Sequence, residues 1–128
     1  MSAELGSRLP ELTIEATPTF VISSAIATRD FQDVHHDRDR AIELGSTDIF
    51  LNILTSTGLV QRFVTDWAGP TAVLRRIEIR LGVPCYAHDT LVLRGRVAAR
   101  DGDEVVVEVV GRNSLGDHVT ATVTVVFP

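Results

Sequence analysis

A chain of 128 residues holds one domain with a modest core, and an apolar content of 45% is that of a folded globular protein. Lys plus Arg number 12 against 17 Asp plus Glu, a formal charge of −5. That balance argues against a nucleic-acid footprint, which needs a basic face, while a few local arginines could still hold a phosphorylated ligand.

The opening "MSAELGSRLPELTIEA" has no basic segment leading into an apolar run, so no secretory signal is visible. No apolar stretch is long enough for a membrane span. The single cysteine, Cys85, cannot close an internal disulfide and fits a reducing compartment. A cytoplasmic protein is expected, one domain over residues 1–128 with residues 1–10 flexible.

"LTIEA" and "TFVISSA" read as short extended pieces separated by Pro18. A charged loop and a short helical piece, "DRDRAIELG", follow; Gly45 closes the latter. "STDIFLNILTSTGLVQRFVTDWAGP" carries the longest helical signal. Ser46, Thr47 and Asp48 are N-cap candidates and Gly69-Pro70 is the stop. Ile49, Ile53, Leu59, Phe63 and Trp67 form one stripe, with Phe50, Leu54, Val60 and Val64 beside it. A helix apolar on so many sides is surrounded by protein.

From Ala72 onward the chain alternates. Val73, Ile77, Ile79 and Leu81 share one face, as do Leu91, Leu93, Val97 and Ala99. Val105, Val107 and Val109 continue the pattern, and Val119, Ala121, Val123, Val125 and Phe127 end it. Tight turns at "RDGDE" and "NSLGD" make these strands antiparallel neighbours. The expected fold is α+β: a long central helix wrapped by an antiparallel sheet of about five or six strands, the hot-dog architecture. One sheet over one helix leaves an open edge and an incompletely covered helix, so a paired assembly is expected on physical grounds.

The loop "RDFQDVHHDRD" concentrates the candidate chemistry, and three roles are open to it. A metal site would use His35, His36 and Asp37, with His88, His118 or Cys85. Ligands adjacent in an extended chain point apart, however, and no H-x-x-x-H pair supplies convergence. A solvated surface loop would explain the charge but not the interleaved Phe31 and Val34. An acid–base pair of Asp30 and His35 is the third. Five residues of irregular chain can curl both side chains toward one pocket, where together they grip a water. The loop also leads toward the start of the central helix, where backbone N–H groups can stabilise an anionic oxygen.

Asp30, Phe31 and His35 resemble the hydratase motif of the MaoC-like family, the (R)-specific enoyl-CoA hydratases, which reads approximately G-D-F-N-P-x-H-x-D. The resemblance implies that Asp30 is the catalytic aspartate, His35 the catalytic histidine and Asp37 the second aspartate of the motif, with His36 at a variable position. It extends through "TDWAGP", "RLGVP" followed by "HDTL", and "GRNSLGDHVTATV", and so covers the chain from about residue 18. The family fold is the hot-dog. "ATRDFQDVHHDRD" and the helical segment are similar to one branch in particular, the small subunits of actinobacterial steroid side-chain enoyl-CoA hydratases.

That branch implies hydration of an unsaturated CoA thioester of a shortened steroid side chain. It also implies a larger MaoC-like partner carrying a zinc-ribbon/OB-type acyl-CoA-binding domain, in a heterodimer or heterotetramer. No metal in this chain and no cofactor are implied, coenzyme A being part of the substrate. Gln32-Asp33 replaces the motif's N-P pair, and Leu51-Asn52 replaces an H-G pair before the central helix. In the family that glycine gives its backbone N–H to the thioester carbonyl, a role the Asn52 N–H inherits by position.

Two alternatives stand beside hydration. A hot-dog thioesterase aims a carboxylate or amide from the central helix at the thioester carbon, and here only Gln61 offers itself. A catalytically silent subunit would merely complete a partner's fold.

Overall fold

The computed structural model describes residues 3–128. Strand β1 (Leu12–Ala16) leads into helix α1 (Pro18–Ala27). A single 3₁₀ turn over Asp33–His35 and the short helix α2 (Arg38–Glu43) precede helix α3 (Ile53–Ala68). Four long strands complete the chain: β2 (Val73–Leu81), β3 (Asp89–Asp101), β4 (Glu104–Asn113) and β5 (Gly116–Val126). All pairings are antiparallel, in the order β1-β3-β4-β5-β2. This is the expected α+β hot-dog, with five strands.

Three contacts seat α3 on the sheet along its length. Near its start, Ser56 Oγ meets His118 Nε2 at 2.7 Å. At its middle, Phe63 lies where a side chain on Gly95 would be; a Cβ there would sit 2.8 Å from the ring. At its end, Trp67 and Phe127 meet edge to face with centroids 5.8 Å apart. The core between them is built from Val60, Val64, Leu91, Leu93, Val97, Val107 and Val123, all fully buried. Each such side chain contributes about 1.5–3 kcal/mol by leaving water.

The segment "TFVISSA" is helical, which corrects the extended piece expected there. Thr17 Oγ1 accepts the Phe20 N–H at 3.1 Å, and Pro18 follows in the first helical turn. Proline has no N–H to lose at that position and its fixed φ suits a helix start. The start of α3 is corrected as well. Residues 46–51 are not helical: Leu51 N–H donates to Cys85 O (3.0 Å) and Ile49 O accepts from Ala87 N–H (2.9 Å). Ile49 and Leu51 are thereby buried in an extended segment, and Asn52, rather than Ser46, Thr47 or Asp48, caps the helix. Ile53 and Leu54 consequently face outward, each about half exposed (52% and 53%).

Two strand faces shift for stated reasons. A bulge between Val97 and Ala99 turns Ala99 outward. A bulge between Leu74 and Arg76 turns Val73 outward, and Leu81, at the end of edge strand β2, is exposed. Residues 6–9, within the stretch expected to be flexible, run beside β3: Gly6 N–H donates to Val97 O and Leu9 N–H to Gly95 O, both at 2.9 Å.

Candidate active site

Asp30 is placed by the way α1 ends. Arg29 takes a left-handed conformation (φ 57°), its N–H donates to Ile26 O (3.0 Å), and the Asp30 N–H donates to Ala25 O (2.9 Å). This paired closure is the common helix C-terminal motif, with arginine where glycine is usual. The chain then leaves the helix axis with the Asp30 carboxylate facing α3. Gln32 N–H donates to Asp30 Oδ1 at 3.3 Å, closing a small Asx turn. The 3₁₀ turn that follows brings His35 back toward Asp30.

His35 is buried, its ring edge-to-face with Phe50 at a centroid distance of 4.9 Å. Nδ1 lies 2.8 Å from Phe50 O. A carbonyl can only accept, so Nδ1 carries a proton, and in the neutral ring Nε2 is the acceptor. Nε2 is 3.5 Å from Asp30 Oδ2. With the ring neutral, these are two acceptors side by side, satisfied by a molecule donating to both. Water is such a molecule.

Asn52 joins this pair to α3. Its Oδ1 accepts the Thr55 N–H at 3.3 Å, which caps the helix. Its Nδ2 donates to Asp30 Oδ2 (3.2 Å) and to Thr28 Oγ1 (2.8 Å). Thr28 Oγ1 in turn donates to Ser24 O at 2.8 Å. Among the described residues the Asn52 backbone N–H has no acceptor. It therefore remains available, at a helix N-terminus, to an oxygen carrying developing negative charge. The sequence led to Asn52 through this N–H alone. The capping role of its side chain, its grip on Asp30, and Thr28 were missed. The T-P helix start, read correctly, would have put Thr28 at the end of α1.

The neighbouring polar residues go elsewhere. His36 is partly exposed and its Nε2 bonds Phe31 O at 3.1 Å. Asp33, the carboxylate nearest the dyad in sequence, faces Arg40 (3.5 Å) and His36 (3.8 Å). Asp37 caps α2 by accepting the Arg40 N–H at 3.1 Å. Among the described residues no three His, Cys, Asp or Glu side chains are grouped so as to hold a metal ion. Gln61, on which the thioesterase alternative rested, is exposed. Burial pushes the Cys85 thiol up to about 11, so it is an inert core group. No helix among the described residues is long and apolar enough to cross a membrane.

A histidine and a carboxylate thus stand together beside the start of the central helix of a hot-dog fold. No family model matches the chain. It is 63% identical over 119 residues to the 3-oxo-4,17-pregnadiene-20-carboxyl-CoA hydratase β subunit of Mycobacterium tuberculosis, covering 93% of this chain and 92% of that one. A chain in the crystal structure of the ChsH1–ChsH2 complex from Mycobacterium tuberculosis superposes with a TM-score of 0.97 at 59% identity, over 99% of this chain and 100% of that chain. An (R)-hydratase from A. caviae involved in PHA biosynthesis shares the fold at 17% identity, with a TM-score of 0.90 over 99% and 98% of the two chains. The chain belongs to the family of the pregnadiene-carboxyl-CoA hydratase β subunit, a branch of the MaoC-like hydratases.

Proposed function

We propose that this chain is the catalytic small subunit of a cytoplasmic enoyl-CoA hydratase acting on a shortened steroid side-chain CoA thioester. The observation that carries the proposal is the placement of His35 Nε2, 3.5 Å from Asp30 Oδ2 and beside the start of α3. Substrate class rests on the 63% identity to a subunit named for a steroid-derived acyl-CoA. Compartment rests on the unpaired, buried Cys85.

In this scheme Asp30 and His35 hold one water over the β-carbon of the unsaturated thioester. The water oxygen bonds to that carbon as His35 Nε2 takes one of its protons. The electron pair of the double bond moves toward the thioester carbonyl, whose oxygen is stabilised by the Asn52 N–H and the helix start. A proton from the dyad then reaches the α-carbon, so one water is added and the side chains return to their starting state. Nothing beyond water and the thioester is consumed, and no cofactor is required.

The larger partner is proposed from the complex formed by the similar chain, together with the half-exposed Ile53 and Leu54 that flank Asn52 and the exposed Phe31 that flanks Asp30. A larger MaoC-like subunit with a zinc-ribbon/OB-type domain would complete the pocket wall there and hold the CoA.

The test is hydration of a steroidal enoyl-CoA by the co-expressed heteromer, followed by loss of enoyl-thioester absorbance. Asp30→Ala and His35→Ala are each expected to lower turnover by at least about a hundredfold, and the double variant little further. His36→Ala should cost far less. Near-normal hydration by both single variants would mean that the subunit is chemically silent.

A further inference from the structure

A second histidine is buried more deeply than the first. His118, at the start of β5, is 2% exposed and its partner Ser56, in the first turns of α3, 1%. His118 Nδ1 lies 2.7 Å from Val83 O, so Nδ1 carries the proton and Nε2 accepts from the Ser56 hydroxyl at 2.7 Å. Neither group meets solvent, and nothing in the hydration scheme uses either.

Core packing does not demand this pair. A buried polar pair contributes little net stability, and replacing both partners with apolar groups of similar shape can be nearly neutral. What the pair provides is direction. Two short hydrogen bonds fix α3 against β5 and the residue 82–85 turn at a set height and rotation, which apolar contacts alone would leave free to slide.

The point so fixed is one helical turn from Asn52, which holds the dyad carboxylate. Ser56 N–H donates to Asn52 O at 3.1 Å, the first bond of the helix ladder. Asn52 Nδ2 donates to Asp30 Oδ2. The chain of bonds therefore runs from Val83 O through His118, Ser56 and Asn52 to the Asp30 carboxylate.

We propose that Ser56 and His118 are positioning residues for the dyad, setting the α3 start so that the Asn52 side chain holds the Asp30 carboxylate and the Asn52 N–H faces the thioester oxygen. This rests on the dyad assignment above. A shift of the helix start would move both the carboxylate and the oxyanion donor, and misplacement by about 1 Å can cost about a hundredfold in rate.

The experiment compares kcat, KM and melting temperature of co-expressed heteromers. In Ser56→Ala/His118→Leu, where both polar partners are removed, kcat should fall about tenfold or more while KM changes little and the melting temperature stays near wild type. His118→Gln, whose amide can still reach Ser56, should recover much of the rate. Val105→Ala, near the far end of β4 and paired with Val125, is the control: it should lower the melting temperature without lowering kcat. Should the double variant fail to assemble, Ser56→Ala alone is read against that control. A normal kcat in the apolar variant, or a loss matched by Val105→Ala at equal destabilisation, overturns the proposal. Full activity in Asp30→Ala would instead overturn the dyad assignment, so the two failures are distinguishable.

Discussion

At the scale of a single residue, Asn52 carries three duties at once. Its side chain caps α3 and grips Asp30 and Thr28, and its own N–H, without an acceptor among the described residues, is the proposed donor to the thioester oxygen. These duties separate by substitution. Glycine is a tolerated N-cap, costing a few tenths of a kcal/mol relative to asparagine, and keeps the backbone N–H. Asn52→Gly should therefore assemble normally and retain measurable hydration, with kcat reduced about tenfold through the loosened Asp30. Asn52→Asp, which keeps the cap but sets a second carboxylate against the first, should lose more. Stopped assays on both variants check the order. An Asn52→Gly enzyme as inactive as Asp30→Ala would make the side chain, not the N–H, the essential group.

At the scale of elements, the links between α3 and its surroundings explain both what the sequence disclosed and what it hid. Strands β2 to β5 were legible because one face of each packs toward the core, fully in β3 to β5 and partly in β2, and a period of two survives except at the Leu74/Arg76, Val97/Ala99 and Gly111/Arg112 irregularities. The dyad was legible because Asp30 and His35 lie within one loop. The start of α3 was hidden because Ile49 and Leu51 are buried by pairing with Cys85 and Ala87, residues more than thirty positions away. Burial of that kind imitates helical periodicity over a short window. Helix α1 was hidden because Val21 and Ile22 favour strands in isolation, whereas the Thr17 cap and Pro18 decide locally for helix. The Ser56–His118 bond joins positions 56 and 118, a separation no motif spans.

The burial of His118 also sets a pH response. Burial lowers the His118 pKa from its usual value of 6.5, and among the described residues no carboxylate forms an ion pair with its ring. The folded chain thus resists the proton that the unfolded chain accepts. Above about pH 6.5 both states are neutral at this residue and its contribution is complete. Below that, stability falls with a slope of up to about 1.4 kcal/mol per pH unit, until the folded-state pKa is reached. The heteromer should melt lower at about pH 5.5 than at about pH 7.5. The fall should be smaller in Ser56→Ala/His118→Leu, which lacks the titrating group. An unchanged slope in that variant would assign the acid sensitivity to other histidines.

At the scale of the whole molecule, the chain has surfaces that its own fold does not finish. Strand β2 is paired only with β5, so its outer edge presents a row of free backbone groups. Arginines 75, 76 and 80 stand exposed along it, the charged guard that discourages indiscriminate edge pairing. Ile77 and Ile79 on the same strand are only partly buried. Ile26, Phe31, Ile53 and Leu54, around the ends of α1 and α3, are each 45–63% exposed. Apolar groups of this number beside a reactive site mark a surface made to be covered. A specific interface buries about 1,200–2,000 Å² in total, enough to take in both the edge and these side chains. Expressed alone, the chain should therefore associate with itself or precipitate, and should hydrate poorly. Co-expressed with its larger partner, it should elute as a heteromer of fixed mass with full activity. Light scattering on both preparations measures the difference, and hydrogen exchange locates it: the outward amides of β2 and those at the α3 start should become protected only in the heteromer. A fully active, monodisperse monomer would show that the exposed surface has some other use.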